Sequence, residues 1–197
     1  MGLRQSYTLF APAYDLLLRR VSAPARRRSL ALLPRDGRQR VLLTGVGTGL
    51  DAPYLPQNNE YVGIDITRAM LSRVPPSPSV AIALVQGDSM RLPFADACFD
   101  FVVLHLIVAV VPEPALCLAE AARVLRRGGT MLVLDKFLRR GQMAPLRRAL
   151  NPLSRAIATR MDVVWEDLLR AVPQIAVQSD EPVLARGWFR LIRAAKR

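Results

Sequence analysis

Apolar residues along this chain gather in short runs, and each run stops at a glycine, an acid or a histidine. Val41-Leu42-Leu43 runs into Gly45, and the β-rich Glu60–Ile66 (EYVGIDI) reaches Asp65. Val80–Val85 precedes Gln86-Gly87-Asp88, Phe99–Val111 (FDFVVLHLIVAVV) carries His105, and Thr130–Phe137 contains Asp135. Continuous apolar runs of this kind suit strands covered on both faces, as in a parallel sheet. Helical stretches are predicted between them over Thr67–Val74 and Ala115–Leu125, with Arg126-Arg127-Gly128-Gly129 read as the latter's close: cations in the last turn, then a glycine cap. Strands alternating with helices predict an α/β fold. Val163–Val172 reads as one more helix, and Ile175–Leu184 with Gly187–Ile192 as a closing pair of strands.

The ends of the pattern differ. In residues 1–39, Tyr7, Phe10, Tyr14, Leu17 and Leu18 recur at helical spacing, with Pro12 and Pro24 limiting or kinking the helices. A second helical stretch starts at Arg26–Arg28 and ends before Pro34, and Asp36-Gly37 is a turn. This lead-in is expected to cap an acceptor pocket on a core formed by 40–197, the whole chain being one domain. Tyr7 and Tyr14 either pack the lead-in against the core or face the acceptor. Pro145–Arg160 sets Leu146, Leu150, Leu153 and Ile157 on a helical stripe, broken at Pro152. No acid occurs between Asp135 and Asp162, where Lys136, Arg139, Arg140, Arg147, Arg148, Arg155 and Arg160 lie.

Composition changes the picture in two respects. The 197 residues are 51% hydrophobic, which suits a folded domain with a sizeable core and excludes a disordered chain. The formal net charge is +12, which favours anionic partners: phospholipid, nucleic acid or an acidic ligand. Cys98 and Cys117 stand among apolar neighbours in neither a metal-type cluster nor a disulfide framework, so a reducing compartment is expected and no metal. The Phe101–Val111 run is too short to span a bilayer, and MGLRQSYTLF lacks the apolar stretch of a signal peptide. The expected location is cytoplasmic.

The chemistry starts at Arg40–Asp51 (RVLLTGVGTGLD), a strand followed by a glycine turn and the opening of an amphipathic segment that Pro53 and Pro56 limit. Glycines let a backbone turn with positive φ and let a ligand approach without a Cβ in the way. A dinucleotide fingerprint, G-x-G-x-x-G, would place a glycine where Leu50 stands, which argues against NAD or FAD. The pattern here is the compressed Gly45-Val46-Gly47-Thr48-Gly49. Asp65 falls 20 residues after Gly45, the interval at which a strand-end acid accepts from ribose hydroxyls, with Thr67 a helix-cap type beyond it. Read singly, the turn could be a tight connection, Asp65 a plain strand-end acid and Asp88 a turn acid.

Taken together, GVGTG, GID, GDSMRLPF and RVLRRGG run in the order and at the intervals of class I S-adenosylmethionine (SAM) methyltransferases, which the chain resembles from Arg40 to its C-terminus. Finer details are similar to small bacterial phosphatidylethanolamine N-methyltransferases and to the related ubiquinone/menaquinone C-methyltransferases: GVGTGLDAPYLP, AVVPEP followed by E-x-A-R-V, and FAPAYD near the start. The resemblance implies a Rossmann-like sheet of seven strands, mostly parallel with an antiparallel last strand, and helices on both faces. It implies SAM as cofactor, held by Gly45, Val46, Gly47, Gly49, Asp65, Ile66, Asp88, Ser89 and Met90, with Asp88 accepting from the adenine amino group. The sequence departs from the family at Leu43, where motif I usually carries an acid that orders the methionine end of SAM; Asp51 is a candidate replacement. It also reads Asp135-Lys136-Phe137 where the phosphatidylethanolamine enzymes often have Asn-His-Phe.

The resemblance implies a lipid or other hydrophobic small-molecule acceptor. His105, expected at the C-terminal end of the fourth strand, either acts as a base or lines the site, and Tyr7, Tyr14 and Lys136 are the candidate acceptor contacts. An RNA methyltransferase would use the same basic charge, but the Asn/Asp-Pro-Pro-aromatic cluster of amino methylases is replaced by Leu104-His105-Leu106-Ile107. A non-catalytic SAM-binding protein is the third reading. Residues 136–160 are either a peripheral contact with anionic membrane or a solvated arginine face over an ordinary core stripe.

Overall fold

The computed structural model describes residues 21–141, 162–184 and 187–197. Tyr7, Tyr14 and most of the arginine-rich 136–160 stretch lie outside the described residues.

A helix, α1, includes residues 21–30 and runs through Pro24 without ending there. It precedes β1 (Arg40–Thr44), β2 (Glu60–Asp65), α2 (Arg68–Leu71), β3 (Ile82–Gln86), β4 (Phe99–His105), α3 (Pro114–Val124) and β5 (Leu125–Asp135). The chain continues through α4 (Trp165–Leu168), β6 (Ile175–Leu184) and β7 (Phe189–Lys196). The strands make one seven-stranded sheet in the order β3-β2-β1-β4-β5-β7-β6. β1 to β5 pair in parallel, and β7 is antiparallel to both β5 and β6. This is the expected Rossmann-like architecture.

The continuous apolar runs arise because both faces are covered. Leu42, Val102, Leu104, Met131 and Val133 pack with α3 residues Cys117, Leu118 and Ala121 on one face. Their alternate neighbours Val41, Leu43, Val103 and Leu132 pack with Leu30 of α1 and Leu71 of α2 on the other. Successive strand side chains point to opposite faces, so each strand feeds both cores.

Several local expectations are corrected. The glycine turn opens no regular helix; it leads only into a 3-10 turn, Ala52–Tyr54, with proline at its start. The first N–H groups after the turn are spent internally: Gly49 donates to the Val46 carbonyl and Ala52 to that of Gly49. α2 spans four residues rather than reaching Val74. Ser72 still donates to the Arg68 carbonyl, but Arg73 and Val74 tighten into i→i−3 bonds, because a residue before proline, here Val74 before Pro75, is disfavoured in the helical region. α3 ends at Val124 with extended Leu125 as its cap, so the glycine cap does not form. Arg126–Gly129 instead bulge out where the β4–β5 register shifts, and Arg126 pairs with Asp100. The cation at the end of α3 comes from the far end of the chain: Lys196 Nζ donates to the carbonyls of Ala122 and Leu125, both at 2.7 Å.

Beside the sheet, Leu138 bridges to Val164, and the Leu138 N–H donates to the Val163 carbonyl at 2.8 Å. Arg190 of β7, almost fully buried, donates to the Leu138 carbonyl and pairs with Asp180 and Glu166. These bonds fix the two ends of the 139–162 stretch against the sheet and hold Lys136 and Phe189 near each other's strand ends.

Candidate functional site

The strand order reverses between β1 and β4, and open α/β sheets bind ligands in the crevice at such a point, beyond the strands' C-terminal ends. A cavity of about 370 Å³ lies there, a size suited to a small-molecule ligand. Gly45, Val46 and Gly47 follow β1, Asp65 and Ile66 close β2, and Asp88, Ser89 and Met90 follow β3; all line the cavity. His105 ends β4 and Lys136 follows β5, and these also line it. Of the sequence-predicted site residues described, Gly49 and Asp51 do not line the cavity. The φ of 79° at Gly49 and its bond to the Val46 carbonyl make it part of the turn's frame instead.

The glycine turn is built for close approach. Gly45 has φ 66°, and a Cβ there would lie 2.7 Å from the Ile107 side chain. Ile107 is brought over the turn by Leu106, which leaves β4 with φ 60° and donates its N–H to the Leu134 carbonyl. Positive φ is uncommon for a side chain larger than glycine and recurs where a site needs it.

Asp65 accepts from the Gly47 N–H at 2.9 Å and the Thr67 N–H at 2.8 Å. Burial pushes its carboxyl above the ordinary value, and the backbone donors and the Thr67 hydroxyl only partly offset that. A carboxylate oxygen has two lone pairs, so acceptor capacity is left for ligand hydroxyls. Asp88 accepts from the Met90 N–H at 2.8 Å, and the 92–96 loop behind it is held by α3: Leu92 donates to Glu120, while Arg123 donates to the Leu92 and Phe94 carbonyls. Ile66 is 47% exposed beside Asp65, an apolar surface that a flat ligand ring would cover.

His105 sits differently from its neighbours. It is 4% exposed, its Nδ1 lies 2.8 Å from Asp51 Oδ1, and its Nε2 lies 2.8 Å from Ser29 Oγ. Nδ1 donates to the carboxylate. Nε2 accepts from the serine hydroxyl when the ring is neutral and donates to it when the ring is charged. Either way both nitrogens are spent on the protein. Asp51 Oδ1 also takes Arg26 Nη1 at 2.7 Å. Burial alone would raise the Asp51 carboxyl, but His105 and Arg26 overcome it and hold it well below the usual carboxylate range. Asp51 therefore stands behind the cavity wall, and it is Arg26 that lines the cavity. Leu43, where an acid is usual, is buried in the core.

Sequence reasoning missed Arg26 and Ser29. The available signal was their spacing: Ser22, Arg26 and Ser29 fall at i, i+4 and i+7 on one helical face, and Arg26 Nε donates to Ser22 Oγ at 3.0 Å. Against two further arginines in the same run, that polar face reads as ordinary surface. The cavity's apolar wall, Leu106, Ile107, Val110, Val111 and Phe189, was not singled out either. Among the described residues, no group of three or more His, Cys, Asp or Glu side chains is placed to hold a metal ion.

A glycine cradle, carboxylates at the ends of β2 and β3, an apolar wall and a cation on the far side fit a nucleoside bearing an amino-acid tail. The methyltransferase domain family matches residues 42–133. The chain is 34% identical over 199 residues to a phosphatidylethanolamine N-methyltransferase of Cereibacter sphaeroides, covering 98% of this chain and 97% of that one. It is 36% identical over 118 residues to a demethylmenaquinone methyltransferase of a Parafrankia strain, covering 56% of this chain and 46% of that relative. A SAM-dependent methyltransferase structure from Thermotoga maritima superposes with a TM-score of 0.71 over the whole of both chains at 19% identity, a likeness of fold. The chain belongs to the SAM-dependent methyltransferases, and S-adenosylmethionine is its cofactor.

Proposed function

We propose that this methyltransferase acts on a lipid amine of the phosphatidylethanolamine kind. The observation that carries the reading is the match along nearly the full length of both chains to a relative named for that reaction. The cofactor supplies an electrophilic methyl group on a sulfonium together with its own leaving group. The protein's work is then to position the acceptor and exclude water. Gly45, Val46 and Gly47 give the backbone cradle; Asp65 takes ribose hydroxyls; Ile66, Ser89 and Met90 cover the adenine, with Asp88 at its amino group. Leu106, Ile107, Val110, Val111 and Phe189 offer an apolar wall suited to stripping water from an acceptor amine, which must be neutral to attack. Lys136, beside that wall, suits an acceptor phosphate.

A ring-carbon acceptor is the second reading, favoured by the relatives named demethylmenaquinone methyltransferases. It requires a proton to be removed, which calls for a base. His105 has both nitrogens engaged by Asp51 and Ser29, and this weighs toward the amine. We place the whole of 1–197 in one catalytic domain, working in the cytoplasm at the face of an anionic membrane through 136–160, rather than on nucleic acid. Among the described residues no helix is long and apolar enough to cross a membrane.

The test is incubation with methyl-labelled SAM and, separately, phosphatidylethanolamine in anionic vesicles, a demethylated menaquinol in the same vesicles, and RNA. Label on the ethanolamine nitrogen is expected. Label on the quinol ring would move the assignment to carbon, and label in RNA would remove the lipid reading.

A further inference from the structure

The connection from β4 to α3 carries most of the cavity's apolar wall, yet it is neither helix nor strand. Leu106, Ile107, Val110 and Val111 line the cavity, while Val108 and Ala109 between them are fully buried in the core. The connection is tied down at three places. Within it, the Val110 and Val111 N–H groups donate to the Ile107 carbonyl. At its start, the Leu106 N–H donates to the Leu134 carbonyl at 2.8 Å. In its middle, the Ala109 N–H donates to Asp135 Oδ2 at 2.9 Å. Asp135 ends β5, is 0% exposed and does not line the cavity. Its other oxygen, Oδ1, accepts the Lys136 N–H at 2.8 Å. One buried carboxylate thus joins the turn that bears the wall to the residue that brings a cation beside it.

Resting on the reading of that wall and Lys136 as the acceptor's side of the cavity, we propose that Asp135 is the positioning residue that sets the acceptor pocket. Both groups it holds are donors. A carboxylate accepts at each of its oxygens, whereas an amide accepts at one and turns its own N–H groups toward the second donor. Only the carboxylate therefore holds the wall and the Lys136 backbone at one fixed spacing. The cofactor's side is held by other bonds. The Leu106 bond to Leu134 does not involve the side chain at 135, so Ile107 next to it stays over the glycine turn. Asp65 and Gly47 are bonded to each other. Loss of the Ala109 bond frees the part of the connection beyond Ile107, and with it Val110 and Val111. The consequence falls on the acceptor and spares the cofactor.

The experiment compares the native protein with Asp135→Asn in three measurements: KM for phosphatidylethanolamine in anionic vesicles, calorimetric affinity for S-adenosylhomocysteine, and amide hydrogen exchange by NMR at Ala109 and Lys136. KM should rise by about 10-fold or more, the scale of a hydrogen bond to a charged group, with S-adenosylhomocysteine affinity within about twofold of native. One of the two amides should exchange about 10-fold faster or more, because its acceptor is gone. Asp135→Glu keeps both acceptor oxygens but moves them by one methylene; it should raise KM in the same way and carries the test if the Asn variant does not fold. Failure of both variants to fold would make Asp135 a residue of the core alone and overturn the proposal. Equal losses in KM and in S-adenosylhomocysteine affinity would mark a merely structural role and overturn it too, as would an unchanged KM. Native protein that labels a demethylated menaquinol or RNA in place of phosphatidylethanolamine would end the amine reading alone, and the KM comparison is then read on that acceptor. Transfer to none of the three would overturn the acceptor reading and the role of Asp135 together.

Discussion

Asp51 and Asp65 are both acids close to the glycine turn, and burial acts against the charge of each. They nevertheless sit on opposite sides of the ordinary carboxylate value. Asp51 is 5% exposed and engaged by Arg26 and His105, which hold it low. Asp65 is half-buried, takes the Gly47 and Thr67 N–H groups and the Thr67 hydroxyl but no cation among the described residues, and burial leaves it raised. The first acid is complete without a ligand. The second has no such counter-charge and faces a cavity. A shifted carboxyl by itself thus marks nothing; its direction and the bonds left over separate an acid of the framework from an acid of the site.

The sharpest way to break this contrast is Asp51→Asn. It leaves the Arg26 guanidinium buried without a counter-charge and weakens its bond and that of His105. Removing one partner of a buried pair costs about 3–5 kcal/mol, so the urea midpoint should fall steeply. The native carboxyl is depressed, so its contribution is complete above the unfolded value near 3.8 and drains away as pH falls from there toward the lower native value. The Asn variant should lose that acid-side dependence. A variant as stable as the native protein would show that the cluster does not hold α1 to the sheet.

His105→Gln tests the closed side more gently. Glutamine cannot bridge Asp51 and Ser29 as the imidazole does, and the unpaired buried groups should cost about 1–3 kcal/mol of stability. Turnover should fall by about 10-fold or less. A loss of about 100-fold with S-adenosylhomocysteine affinity intact would instead make His105 a base.

On the open side, Asp65→Asn should weaken S-adenosylhomocysteine by about 1–3 kcal/mol in calorimetry, the cost of unpairing buried hydroxyls. Thermal stability without ligand is the balance of two effects: the Asn amide nitrogen meets the Gly47 or Thr67 N–H donor to donor, a loss, while removing a raised carboxyl, whose contribution is present at low pH and lost as pH rises through its native value, is a gain at neutral pH. Binding needs the ionised form, so native affinity should fall on the acid side from a pH above the ordinary 3.8, and the Asn variant should lack that limb. Unchanged affinity would take Asp65 out of the site.

The open side is also the part that was legible in the sequence. Gly45, Asp65 and Asp88 stand at strand ends, where chain order alone fixes their place, and the strand runs gave the sheet and its closing pair. The closed side was not legible, because it joins α1, the turn after Gly49 and the end of β4. His105 was placed correctly on β4, yet its partners Asp51 and Ser29 lie 54 and 76 residues away in the chain. Periodicity says which face of a helix is apolar; it does not say which polar side chain on that face finds a partner inside. The glycine cap expected after α3 failed for a related reason. Gly128 and Gly129 serve the β4–β5 bulge, and the cation that the helix end takes, Lys196, is contributed by β7.

The smallest effect is expected at Gly47. Its φ of 56° places it in the left-handed region, where a Cβ costs about 1–2 kcal/mol. An alanine also restricts the unfolded chain, which returns about 0.4–1 kcal/mol. A Cβ there would meet nothing closer than the Gly45 carbonyl oxygen at 3.9 Å, so no steric term is added. The net loss of stability for Gly47→Ala should be about 1 kcal/mol or less. Gly45→Ala adds the 2.7 Å approach to Ile107 and should cost more, because Ile107 must move with the strained Leu106 beside it. Binding should rank the same way but by a different route. The Gly47 N–H donates to Asp65, so relaxing φ there moves a donor that helps hold the carboxylate and should reduce S-adenosylhomocysteine affinity without a large change in melting temperature. A Gly47→Ala protein that loses more stability than Gly45→Ala would show that the turn is closed on both sides, and the division between a complete framework and an open site would fail at its centre.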